Sequence, residues 1–194
     1  MQELRNLTDA IWTNILMVVT SIPIVTVGAA ITAAHDANRR ALQGEAGGVT
    51  RNYFTAFRAN FAKSTALWAV FGITGAALAY AWVVLQITPL LVPKIGLTLV
   101  WIIGFEWVFA LQARFENTVG CTLANAFVFG ISHILLTVGM IVLDAIWVGL
   151  LAACWFLFPQ GLFLLVVMGY GTMILCHIPL LERGFAQYLK SGEE

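Results

Sequence analysis

The chain has 194 residues, of which 60% are hydrophobic and 10% charged, and its formal net charge is zero. Soluble globular domains carry roughly 25% charged residues, so this composition cannot surround its apolar bulk with a water-facing surface, whereas a bilayer can absorb that bulk. A balanced charge leaves no electrostatic footprint for nucleic acid. The three cysteines, Cys121, Cys154 and Cys176, are widely spaced with no CxxC pair, and read as small buried hydrophobes.

The apolar segments predict an all-α integral membrane protein, a single transmembrane domain over 1–194 built as a bundle of about five helices. The first apolar segment covers about 11–34, with Asn14 and Pro23 inside it. Proline removes a backbone donor and clashes with the preceding turn, so this helix is expected to break at Pro23. Thr26 can then cap the freed backbone, and Gly28 allows close helix approach. The second span is expected over about 64–86, ending at a Pro89–Pro93 turn. The third covers about 95–113, the fourth about 133–158 and the fifth about 162–181, the last two joined by a tight turn at Pro159–Gly161.

Between the first two spans, Phe54, Phe57 and Phe61 fall on one helical face. Residues 50–63 therefore read either as an interfacial amphipathic helix or as the first turns of the second span. A second interfacial stretch, Phe115–Ser132, repeats apolar residues every four positions and can equally extend the fourth span.

Arg39, Arg40, Arg51, Arg58 and Lys63 cluster in the loop before the second span. With five crossings, eight of the ten basic residues share that side. Basic loops stay cytoplasmic, so the C-terminus is expected in the cytosol and the N-terminus outside. If the first segment turns back at Pro23, four crossings remain and the N-terminus moves inside. The basic cluster is a candidate cytosolic docking face for a transporter or another membrane protein.

Glu106 and Asp144 stand near the middle of the third and fourth spans. A carboxyl at that depth costs about 2.5 to 3.5 kcal/mol on insertion scales, and such residues usually face the bundle interior or a wet cavity. They form a candidate polar site for a cation, a proton or a polar substrate, or else fix helix packing through hydrogen bonds. His133 and His177 lie towards helix ends and read as packing or interfacial residues. No HxxxH or ExxH pair, GxSxG turn or phosphate loop is present. The sequence thus points to no enzyme, no metal and no cofactor, and to the lipid bilayer as the surrounding partner.

Ser21–Ala30, following Trp12 and Asn14, resembles the signature of the YesL-like family of bacterial membrane proteins. Tyr53–Phe61 and the run Ala113-Arg114-Phe115-Glu116-Asn117 continue the resemblance, which reaches to about Asn125. It implies an uncharacterised multi-span plasma-membrane protein with an accessory or regulatory role in carbohydrate uptake. The family supplies no catalytic residues to carry over. The alternative from the residues themselves is a small secondary transporter or channel using Glu106 and Asp144.

Overall fold

The computed structural model describes residues 2–190. It is 89% helical, with no strand among the described residues. Seven helices follow in order: α1 (Gln2–Thr20), α2 (Val27–Leu42), α3 (Val49–Val83), α4 (Leu91–Arg114), α5 (Val119–Ser132), α6 (Ile134–Leu157) and α7 (Gly161–Lys190). Four stretches, Val49–Val83, Thr88–Arg114, Ile134–Leu157 and Gly161–Ala186, are long and apolar enough to cross a membrane. The first segment is divided at Pro23 as expected, and neither of its helices, α1 and α2, is among those four.

The division falls where proline dictates. Helix α1 ends at Thr20, and Pro23 adopts extended geometry before one 3-10 turn, Ile24–Thr26. The Thr26 hydroxyl donates to the carbonyls of Thr20 and Pro23, covering oxygens that an unbroken helix would have paired. Helix α2 then becomes the centre of the molecule, packed against α1, α3, α4 and α7. Every residue from Gly28 to Asn38 is buried. Small side chains make this possible: a Cβ at Gly28 would overlap the Ser64 carbonyl and the Trp68 side chain. Nearby, the hydroxyls of Thr32 and Ser64 share a 2.8 Å hydrogen bond.

Residues 50–63 are not a separate interfacial helix. They are the opening turns of the unbroken 35-residue α3, about 52 Å long at 1.5 Å per residue, which exceeds the hydrocarbon thickness. The face that packs is also different: Tyr53, Ala56, Ser64, Leu67 and Phe71 are buried, whereas Phe54 and Phe61 point outward. By contrast α5 is a helix in its own right, capped by the Thr118 hydroxyl and separated from α6 by the non-helical backbone of His133. The cysteines do not enter the core, since Cys121 and Cys176 are exposed on the isolated chain and Cys154 is half-buried. In an apolar bundle, outward positions meet lipid and select for the same small hydrophobes as a core does.

Helix α7 is interrupted at Gly169, whose φ of 54° lies in the left-handed region. The break leaves carbonyls without helical partners, and Asn14 of α1 supplies them. Its amide donates to the carbonyls of Val166 (3.0 Å) and Val167 (2.9 Å). Its oxygen accepts from the backbone N–H of Gly171 at 3.1 Å. Asn38 of α2 donates to the Gly171 carbonyl at 2.9 Å. The first two helices thus hold the α7 break from two sides.

An acidic and histidine cluster inside the bundle

Three transmembrane helices each deliver one titratable side chain to a common point. Helix α4 contributes Glu106, α6 contributes Asp144 and α7 contributes His177. One potential ligand atom from each lies within 4.8 Å of the other two. The His177 ring bridges the carboxyls: Nδ1 is 4.0 Å from Glu106 Oε2, and Nε2 is 3.3 Å from Asp144 Oδ1. Glu106 and His177 are buried, with side chains 5% and 2% exposed, while Asp144 retains 26%. Further groups surround them: His35 of α2 lies within electrostatic range of His177 and Asp144, and Tyr170 of α7 within range of both carboxyls.

Hydrogen bonding leaves this cluster incomplete. Glu106 Oε2 and His35 Nδ1 are buried atoms with no hydrogen-bond partner, whereas His177 Nε2 and Asp144 Oδ1 contact each other at 3.3 Å without hydrogen-bond alignment. An orphaned polar atom in a dry interior costs about 1 to 3 kcal/mol, a cost that an apolar residue at the same position would remove. The set has the donors for a small cation: two hard carboxylate oxygens and an imidazole nitrogen. The cluster is largely enclosed, with Glu106 and His177 buried and Asp144 about a quarter exposed. A narrow cleft rimmed by Arg39, Arg114 and Glu182 reaches as far as His35.

The pairing of Glu106 with Asp144 could be suspected from sequence, because both lie at similar depth. His177, expected as a packing or interfacial residue, is buried between the two carboxyls. No spacing motif announces it, because each ligand comes from a different helix. The break beside the cluster is also a second one: Gly169 precedes Tyr170 directly, whereas Pro23 connects to the site only through α2.

The basic cluster divides in two. Arg39 and Arg40 are committed to Asp36, at 2.7 Å and 2.8 Å, and reach Glu45 at 3.4 Å each. Arg51, Arg58 and Lys63 are exposed on the opening turns of α3. Between the two groups lies a polar cleft of about 430 Å³ that includes Asn60, Gln112 and Arg114. There Gln112 donates to Asn60 at 2.9 Å and accepts from Thr122 at 3.2 Å, tying α3, α4 and α5 together.

The family model described as "Protein of unknown function, DUF624" matches residues 10–82. That stretch contains α2, the Pro23 break and nearly all of α3, and the match is compatible with the YesL-like resemblance carried by Ser21–Ala30 and Tyr53–Phe61. No curated protein and no solved structure matches the chain.

Proposed function

We propose that this chain is a small, non-enzymatic secondary transporter of the bacterial plasma membrane, with Glu106, Asp144 and His177 as its cation-coupled site. The observation that carries the reading is the convergence of these three side chains from α4, α6 and α7 on one point inside the bundle. Ionisable groups kept at membrane depth face ion or proton pathways far more often than lipid. The interruption of α7 beside Tyr170 adds to this, because discontinuous helices are the usual scaffold of transporter sites. In this reading the largely enclosed cluster corresponds to an occluded form, with the Arg39–Arg114–Glu182 cleft on its cytosolic side.

The basic residues set the orientation, with the C-terminus cytosolic. The Trp12 indole donates to the Thr50 hydroxyl at the first turn of α3, at 2.8 Å. This favours the arrangement in which residues 11–34 turn back at Pro23, with four crossings and both termini in the cytosol. Exchange assays in proteoliposomes with an internal pH dye test the function. An imposed cation gradient should drive counter-movement of protons, and Glu106→Gln or Asp144→Asn should abolish it. Flux unchanged in both variants rules the site out.

A second reading rests on Arg51, Arg58 and Lys63, which stay exposed beside outward-facing Phe54 and Phe61. On that reading the opening turns of α3 dock a transporter, in an accessory role in carbohydrate uptake. Co-purification from native membranes that is lost on reversing Arg51 and Arg58 to Glu supports it, and recovery of no membrane partner counts against it.

A further inference from the structure

We infer that the ligand of this site is a divalent transition metal, of which Zn2+ is the best-matched probe. The inference rests on the transport reading only for its setting, because the binding chemistry follows from the cluster itself. A two-carboxylate, one-imidazole set offers the mixed oxygen and nitrogen donors that Zn2+ takes, with bonds of about 2.0 to 2.2 Å. Ligand atoms around such an ion sit roughly 3.3 to 3.5 Å apart in a tetrahedron. One pair here, His177 Nε2 and Asp144 Oδ1, is already at 3.3 Å. All three ligand atoms fall within 4.8 Å, so small side-chain rotations close the set.

Charge makes the same selection. Two carboxyl groups can offer a divalent cation two compensating negative charges, a match that a monovalent cation does not make. His35, with an unpartnered ring nitrogen, and Tyr170 face the same locus from α2 and α7.

The competing arrangement is a permanent structural bridge, with His177 as an imidazolium between two carboxylates. Equilibrium Zn2+ titration of the full-length, detergent-solubilised protein separates the two. The titration is run with Cys121, Cys154 and Cys176 replaced by alanine so that thiols do not bind the probe. One Zn2+ per chain is expected. Glu106→Gln, Asp144→Asn and His177→Gln should each weaken binding by about tenfold or more. No stoichiometric binding by the unaltered site, or binding that survives all three substitutions, overturns the inference. Stoichiometric binding without flux in vesicles would leave the inference standing and remove the transport reading. Proton flux driven by monovalent cations, with no Zn2+ bound, would do the reverse.

Discussion

Asn14 occupies the gap that Gly169 opens in α7. The glycine's left-handed backbone turns carbonyls away from the helix ladder, and one asparagine amide from α1 serves two of them while accepting from Gly171. The two positions are separated by most of the chain, so the break is maintained by tertiary structure and not by local sequence. It lies one residue from Tyr170 and eight from His177, on the helix that carries the bridging ligand of the cluster.

Substitution at this junction should be costly. A side chain at Gly169 meets both an unfavourable φ and the Asn14 amide. Gly169→Ala is expected to destabilise by about 1 to 3 kcal/mol. Asn14→Ala leaves buried carbonyls unpaired and should cost about 1 to 3 kcal/mol. Both appear as lower melting temperatures in detergent. Because they act on one contact, the double variant should lose less than the sum of the two.

Gly28 sets how closely α2 approaches α3. Gly28→Leu must push the helices apart at Ser64 and Trp68 and break the Thr32–Ser64 hydrogen bond. Overpacking of this kind costs about 1 to 3 kcal/mol. A thermal shift assay should register that loss, while Gly72→Leu, at a glycine with open space around it, should be close to neutral.

The turned-back first segment makes a topological prediction. Single cysteines at Gly47 and Pro93, in a chain without native cysteines, should react with impermeant reagents from opposite sides. A tag preceding α1 should be reached from the same side as Gly47, because Trp12 is bonded to Thr50. A tag reached from the side of Pro93 would restore a five-crossing arrangement with the N-terminus outside.

Much of this architecture was legible because it depends on strong local signals. The charge-free run from Ser64, the proline break at Pro23 and the carboxyls Glu106 and Asp144 all declare themselves in composition. The fate of residues 50–63 did not, because an aromatic stripe facing lipid has the same period as one facing protein. Only the packing of Tyr53, Ala56 and Ser64 against the rest of the bundle decides which face is inside. His177 and Asn14 escaped for a different reason. Each acts on a partner from another helix, and no sequence interval encodes such a meeting. The Gly169-Tyr170-Gly171 run inside an apolar span was the one local trace of the α7 break.

If Glu106, Asp144 and His177 form an ion site as proposed, aqueous ions must be able to reach it. The most direct test is the reactivity of Asp144→Cys, in an otherwise cysteine-free chain, towards a charged, membrane-impermeant thiol reagent in sealed vesicles. The account predicts modification from at least one aqueous side, at a rate well above that of a lipid-facing control such as Leu135→Cys. An Asp144→Cys thiol that stays as inert as the control from both sides would mean a permanently dry bundle, and would contradict the account.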